Sequence, residues 1–541
     1  MIGRFRRHLR PPVTVWRDVL ERGMPAGAPV APGGPTVLHA TSVGGHPIAP
    51  ILDSLVGIAL WLRGASPQFL LCDAALPACE QAQYTNLPPR RFLRAGPRPL
   101  CAACLGHGTD WLAPLPLPLR RYGEFLEAGE QHAARQRVDD WELERCFTFV
   151  ENELSLGEQA RANTIRYFGK ADLSTEPAST VLGVARRYAA GALVAALALE
   201  RAIAEIEPDV VVAHHGIYVP QGIVGEVARR ANVRVVNWGT SYRDRTVIFS
   251  HGDTYHRTLL RDPTALWDVP LAATQEEELL AFLAERRRGE GDWQWVTPEA
   301  ALRRVTHEHA HLHEHLGLAA DKPTIGLLTN VLWDAQLYYE GHAFADMLEW
   351  LWFTIDFFAQ RPDLQLVIRI HPHEVKHGNR QPVGAEIVRR YQALPPNVKV
   401  VAHDDPANTY ALMDLCSAVL IYGTKTGVEL APLAKPVVVA ADAWIRGKGL
   451  TYDVSTKEEY AAQLARISDL PPLADEVVAR ARRYAYYYFF RRMIPISSFE
   501  PNRPDLTLAV RTLGDLVPGR DSGLDAICRG ILEGVEFVSD G

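Results

Sequence analysis

Arg369, His371 and Pro372 end an alternating apolar run, "LQLVIRI", at residues 364–370. A guanidinium and an imidazole at a strand end can both donate to phosphate oxygens. Proline keeps the residue before it extended, so His371 is held outward rather than folded into a helix. Farther on, "YGTKTGVELAPLAKPVVV" reads as strand, glycine turn, helix start and second strand. The first N–H groups of a helix are unpaired and carry partial positive charge, so they bind phosphate. Thr424 and Thr426 add hydroxyl donors there, Lys425 adds charge, and Gly427 completes the turn. Glu429 lies about one turn in, where its carboxylate can accept from ribose hydroxyls. No G-x-x-x-x-G-K-[ST] precedes this helix, so it is not a P-loop. Asn330 and Asp334 follow a third apolar run, "PTIGLLTN". Asp334 either positions a sugar hydroxyl or caps the next helix.

The first half of the chain carries its own polar outliers. "VGGHP" places His46 after a glycine turn, where backbone can approach a ligand closely. "DVVVAHHG" ends in His214 and His215, "VRVVNWG" in Trp238 and Gly239, and "SYRDR" holds Asp244. His46, His215 and Asp244 are candidate general bases; a structural role for His46 is an equal reading. Cys72, Cys79, Cys101 and Cys104 follow C-x6-C-x21-C-x2-C spacing and resemble a four-cysteine zinc knuckle. Four thiolates would leave zinc no open position, so the expected role is structural. An iron–sulfur cluster and a set of small buried thiols are the alternatives. Cys146, Cys416 and Cys528 read as core residues. "THEHAHLHEHLG" puts His307, His311 and His315 on one helix face, where solvation is a plainer reading than metal capture.

The elements that must position these groups alternate short apolar strands with amphipathic helices from about residue 35. A second such series begins at residue 323. Strand–helix repetition predicts parallel, doubly wound sheets. In such sheets ligands lie beyond the carboxyl ends of the strands, where every outlier above falls. The expected order is an N-terminal extension over 1–34 and a Rossmann-like domain over 35–255, with the possible cysteine knuckle at 72–104. A helical connector over 256–321, a second Rossmann-like domain over 322–470 and a helical tail over 471–541 follow. The two sheets are expected to face one cleft.

The chain has 541 residues, 47% apolar and 22% charged, which suits a globular protein of two domains. A net charge of -7 gives no global attraction for nucleic acid, so anion recognition must be local. "AAGALVAALAL" is too short to cross a bilayer, and no apolar signal segment opens the sequence. The expected location is cytoplasmic, with reduced cysteines. Arg4, Arg6, Arg7 and Arg10 would allow peripheral contact with the inner face of the cell membrane; a frayed basic terminus is the plainer reading. "VARARRYAYYYFFRRMIP" reads as a packed helix in preference to a membrane-bound one.

"TNVLWDA", "RIHPHE" and "YGTKTGVELAPLAKPVVVAADAWIRGKGLTYD" together resemble the capsule polysaccharide biosynthesis family of bacterial glycosyltransferases, over roughly residues 320–495. The family resembles the Kdo transferases, which have the GT-B architecture. The resemblance implies a nucleotide-sugar donor whose phosphate meets His371, Thr424 and Thr426, and a glycan or glycolipid acceptor. Thr-Lys-Thr stands where many relatives have Ser-Ser or Ser-Thr. No D-x-D metal–diphosphate signature occurs, and no catalytic metal is expected. The competing expectations are a glycerophosphotransferase-like enzyme using a CDP-polyol, and a non-catalytic capsule export or modification factor.

Overall fold

The computed structural model describes residues 15–23, 33–288, 309–334, 340–372, 374, 378–501, 503 and 506–539. Arg4, Arg6, Arg7, Arg10 and His307 lie outside the described residues. The chain divides into two α/β units: Met1–Thr258 with Arg491–Gly541, and Leu259–Phe490.

The first unit runs β1 (Thr36–Ser42), α1 (Ala49–Trp61), β2 (Ser66–Leu71), α2 (Arg98–Leu112), β3 (Leu119–Arg121), α3 (Ala178–Ile206), β4 (Val210–His214), α4 (Gln221–Arg230), β5 (Arg234–Thr240) and β6 (Thr246–His251). The strands lie in the order β6-β5-β4-β1-β2-β3, and only β6 among them is antiparallel to its neighbour. β1 and β4 are buried along nearly their whole length, because a parallel sheet is covered by helices on both faces. α1 is apolar all round and buried from Ala49 to Leu60. Its one charge, Asp53, accepts from Thr41 Oγ1 at 2.7 Å and Trp238 Nε1 at 2.8 Å. A buried carboxylate needs such donors, and these tie α1 to β1 and β5. The run "AAGALVAALAL" lies in the middle of α3 and is largely buried. Among the described residues no helix is long and apolar enough to cross a membrane.

The second unit holds α5 (Ala273–Arg287), α6 (His309–Leu316), β7 (Thr324–Leu328), α7 (Met347–Ala359), β8 (Gln365–Arg369), α8 (Val383–Arg390), β9 (Val398–Val401), α9 (Thr409–Leu415), β10 (Ala418–Ile421), α10 (Thr426–Leu430), β11 (Val437–Val439), β12 (Tyr452–Asp453) and α11 (Asp475–Tyr486). Its sheet is parallel throughout, in the order β12-β11-β10-β7-β8-β9. β7 therefore lies between β8 and β10, and the motifs that end these three strands share one edge.

Two boundaries differ from the expected ones. From Leu259 on, the stretch expected as a connector belongs to the second unit. The physical reason is a buried ion pair from α5, described below. The expected tail is divided between the units. α11 stays in the second, and Tyr484, Tyr487, Tyr488 and Phe489 are buried rather than arrayed for a membrane. From Arg491 the chain rejoins the first unit, where β13 (Ile494–Pro495) pairs antiparallel with β6 and completes a seven-stranded sheet. Arg492 donates to the carbonyls of Phe249 at 2.9 Å and Phe537 at 2.7 Å, which pins this return. α12 (Ser522–Glu533) then packs on β13 so closely that a Cβ on Gly523 would lie 1.7 Å from the Pro495 carbonyl oxygen.

Backbone cannot yield as a side chain can. Gly523→Ala is expected to cost about 1–3 kcal/mol through overpacking. The expected result is a lowered thermal midpoint with an unchanged far-UV spectrum; an unchanged midpoint would contradict the packing described.

Candidate active site

Thr329 and Asn330 follow β7 and bind the ends of both neighbouring strands. The Thr329 N–H donates to the Arg369 carbonyl at 3.2 Å, and Thr329 Oγ1 accepts from the His371 N–H at 3.1 Å. Asn330 Oδ1 accepts from the Gly423 N–H at 3.4 Å. His371 and the Gly423–Thr426 turn are thus fixed along one edge with β7 between them. His371 and Thr426 are both half-buried, so neither is sealed beneath packing. Thr424 Oγ1 lies 3.1 Å from Thr426 Oγ1 and accepts from the Thr426 N–H at 3.4 Å. Asp334 is exposed, next to residues outside the description.

Four expected ligand groups have other work. Arg369 is buried; it donates to Thr409 Oγ1 at 3.2 Å and to the Ala402 carbonyl, tying β8 to the β9–α9 loop. Burial lowers its pKa to about 10, so it remains a cation. Glu429 is 1% exposed and takes no part in a surface cradle. It accepts from Arg286 Nε at 2.8 Å, Lys425 Nζ at 2.9 Å and Tyr410 OH at 2.7 Å. Burial pushes its carboxyl up, but the Arg286 and Lys425 cations outweigh that and hold it below the usual range. The Lys425 charge is directed at Glu429 as well. Gly427 serves packing: a Cβ there would meet Ile421 at 2.9 Å and Ile445 at 3.0 Å. α10 is five residues long, so its aligned dipoles are few and the threonine hydroxyls carry more of any anion contact.

Two groups on this edge were not apparent in the sequence. Asp442, beyond β11, receives His342 Nε2 at 2.6 Å and the Glu340 N–H at 3.1 Å. Glu374 of "HPHE" is buried and accepts from the Val383 N–H at 2.7 Å, capping α8. Burial raises its pKa to about 7.

In the first unit, β1 and β4 end beside each other, and β5 ends beside β4. The rings of His46 and His214 lie 4.1 Å apart, His214 and His215 5.5 Å, and His215 and His256 5.3 Å. His256 completes the cluster from beyond β6, a tertiary neighbour that strand-end reasoning missed. Burial is the first cause lowering all four pKa values, and the nearby Arg166 cation adds to the effect on His46, His214 and His215. All four are therefore neutral at neutral pH. His46 Nδ1 accepts from the N–H groups of Ile48 at 3.2 Å and Ala49 at 3.1 Å, at the start of α1. The proton of the neutral ring then sits on Nε2, making His46 a hydrogen-bond donor and a poor choice of base. Asp244, in the β5–β6 turn, pairs with Arg245 at 3.4 Å. What the Gly44–Gly45 turn approaches is α2: a Cβ on Gly44 would lie 2.7 Å from the Cys104 carbonyl oxygen.

The four cysteines line one cavity of about 20 Å³. Burial raises the pKa of each thiol, to about 11 for Cys101 and about 12 for Cys104. Among the described residues, no three His, Cys, Asp or Glu side chains are placed to hold one metal ion. In the histidine column, His315 faces Asp405 at 3.1 Å.

Two Rossmann-like α/β units, one sheet parallel throughout and the other parallel except at the β6–β13 edge, define the fold class expected from the sequence. Residues 300–478, about a third of the chain, match the family described as capsule polysaccharide biosynthesis protein. The family resemblance is thus shown over the segment that carries His371 and Thr424–Thr426. No curated protein matches. Among solved structures, the chain is similar to the KpsC β-Kdo 2,4 transferase of Thermosulfurimonas dismutans, at 13% identity and a TM-score of 0.33, covering 51% of this chain and 79% of that one. A glycotransferase of kitacinnamycin is similar at 15% identity and a TM-score of 0.25, covering 84% and 95%. A UDP-N-acetylglucosamine 2-epimerase from Listeria monocytogenes, described as putative in its own title, is similar at 10% identity and a TM-score of 0.29, covering 94% and 99%. At these scores the likenesses assign no activity.

Removing one partner from a buried ion pair leaves an uncompensated charge. Arg286→Ala is therefore expected to cost about 3–5 kcal/mol, read as a fall in the thermal midpoint; a loss below about 1 kcal/mol would show that Lys425 and Tyr410 suffice alone.

The histidines set an acid limit. A group whose folded pKa is depressed takes up its proton on unfolding, so stability falls as pH drops below the unfolded value, here 6.5. Glu80 and Glu374, raised from 4.5 to about 7, act oppositely: their contribution is present below 4.5 and lost as pH rises through 7. Four groups outweigh two, so the thermal midpoint is expected to fall between pH 6.5 and 4.5. A flat or rising midpoint would mean that these imidazoles are charged in the fold.

Proposed function

We propose that this protein is a glycosyltransferase that moves a sugar from a nucleotide-activated donor to a growing capsular or other surface polysaccharide. The observation that carries this reading is the single edge on which Thr329 and Asn330 hold the His371 segment and the Thr424–Thr426 turn. An imidazole and two hydroxyls there can donate to the departing nucleotide phosphate as the bond to the anomeric carbon breaks. The family match over residues 300–478 supports the same reading.

The first unit takes the acceptor in this scheme. His46 Nε2–H orients an acceptor oxygen, and the proton of the attacking hydroxyl passes to His215 or Asp244. Position favours His215 as the base. His215 stands in the histidine cluster with no partner on Nδ1, whereas Asp244 is paired with Arg245. The peripheral membrane contact expected of the basic N-terminus belongs to the same proposal, since a glycolipid acceptor would lie at that surface.

The test is thermal stabilisation and turnover with a panel of nucleotide sugars and CDP-polyols. The wild-type protein is expected to gain several degrees with its donor. His371→Ala is expected to lose that gain while keeping its own midpoint. Turnover only with a CDP-polyol would reassign the transferred group. Glycan binding without any nucleotide effect would make the chain a non-catalytic capsule factor.

A further inference from the structure

Asp442 follows β11, and both of its carboxylate oxygens are engaged by one loop. Oδ1 accepts from His342 Nε2 at 2.6 Å, and Oδ2 from the Glu340 N–H at 3.1 Å. The Asp442 N–H in turn donates to the Glu340 carbonyl at 2.8 Å. These bonds clamp residues 340–342 onto the end of the second sheet. Gly341 is wedged into the clamp: a Cβ there would lie 2.1 Å from the Phe344 carbonyl oxygen and 2.8 Å from the hydroxyl of Tyr422, which follows β10. His342 has a φ of 50°, in the left-handed region that few side chains adopt. An uncommon backbone of this kind persists where its surroundings fix it.

The clamp stands beside the threonine turn. A Cβ on Gly423 would lie 2.8 Å from the Asp442 carbonyl oxygen, so Asp442 runs against the residue that opens Gly423–Thr426. Gly423 is also the residue that Asn330 holds. His342 therefore belongs to the same edge as His371, Thr424 and Thr426. The side chains of His342 and Asp442 are 25% and 18% exposed, so a ligand can reach them. Giving Nε2–H to a carboxylate fixes the tautomer of the ring, and Nδ1 of the neutral imidazole is then an acceptor. Among the described residues Nδ1 has no hydrogen-bond partner. The threonine hydroxyls can donate to a phosphate; Nδ1 has the opposite polarity and suits a hydroxyl. In a nucleotide-activated sugar the phosphate group links the ribose to the transferred sugar, so a phosphate held at the turn places sugar hydroxyls next to it. Glu429, expected to accept from such hydroxyls, is sealed in the core.

We propose that His342, oriented by Asp442, is a specificity-determining residue of this edge and accepts at Nδ1 a hydrogen bond from a sugar hydroxyl of the donor. Ribose and the transferred sugar present the same chemistry, and the experiment separates them. The proposal rests on the reading that this edge binds a nucleotide-activated donor.

Calorimetry on the full chain tests it, with UDP, CDP and CMP, their dideoxyribose counterparts and the matching nucleotide sugars. Glycine adopts a φ of 50° freely, so His342→Gly removes the ring without straining the loop. The variant is expected to bind about three- to tenfold more weakly, the worth of one hydrogen bond, but only to ligands that carry the recognised hydroxyl. A loss that vanishes with the dideoxy forms assigns the contact to ribose; a loss confined to the nucleotide sugars assigns it to the transferred sugar. Asparagine tolerates the same backbone and sets an amide oxygen near the place of Nδ1, so His342→Asn is expected to restore part of the affinity. Equal losses across all ligands would mark a structural role and overturn the proposal. If the wild-type chain binds none of these ligands, the donor reading falls and this inference with it. A wild type that binds, beside a His342→Gly variant within about twofold of it for every ligand, sinks this inference alone.

Discussion

A carboxylate buried to 1% exposure must find enough donors to replace water, and Glu429 organises the second unit by finding them in three places. Arg286 comes from α5, Tyr410 from α9, and Lys425 from the turn before α10. Each bond fixes a different element against the first turn of α10. The Thr424–Thr426 hydroxyls are thereby held in place without spending their own capacity on distant partners. The same constraint decides a boundary. A stretch that supplies the guanidinium for a buried carboxylate is part of the unit that holds it, not a helical connector between two units, and Leu259–Phe490 forms one unit.

The fold was legible where apolar runs were long and bounded by glycine or proline. β1, β4, β5, β7, β8 and β10 all stand where such runs occur in the sequence. β3, β12 and β13 were not legible. They are two or three residues long, and their pairing is decided by the rest of the sheet rather than by their own composition. The strand-end rule found the correct edge for Asn330, His371 and Thr424. It could not say which polar groups on that edge were already engaged. Arg369 and Glu429 have the chemistry of ligands, but their partners, Ala402, Thr409 and Arg286, lie far away in sequence. Residue type predicts capacity; only tertiary neighbours reveal whether it has been used.

The two units divide the chemistry by charge. On the first unit's edge the four clustered imidazoles are neutral, because burial opposes protonation of all four and Arg166 adds to it for His46, His214 and His215. Neutral donors and acceptors suit the hydroxyls of a sugar, which carry no charge to neutralise. On the second unit's edge, the buried Thr424 hydroxyl, the half-buried Thr426 hydroxyl and the His371 imidazole stand over a framework whose cations are neutralised or capped internally. That arrangement suits weak, reversible contact with an anion, which a free lysine would hold more firmly.

The turn that carries His46 joins the strand ends of the first unit to the cysteine cavity through very few bonds. Gly45 donates its N–H to Cys104 Sγ, and the next residue, His46, turns its Nδ1 to the first N–H groups of α1. Gly44 is wedged against Cys104 and Gly108 of α2, and its carbonyl oxygen accepts from His107 Nδ1 at 2.6 Å. The orientation of the His46 ring, and so the direction of its Nε2–H, is set by α1 on one side and by the cysteine-bearing helix on the other. The glycines read as room for a ligand instead seat this turn against α2, at Cys104 and Gly108.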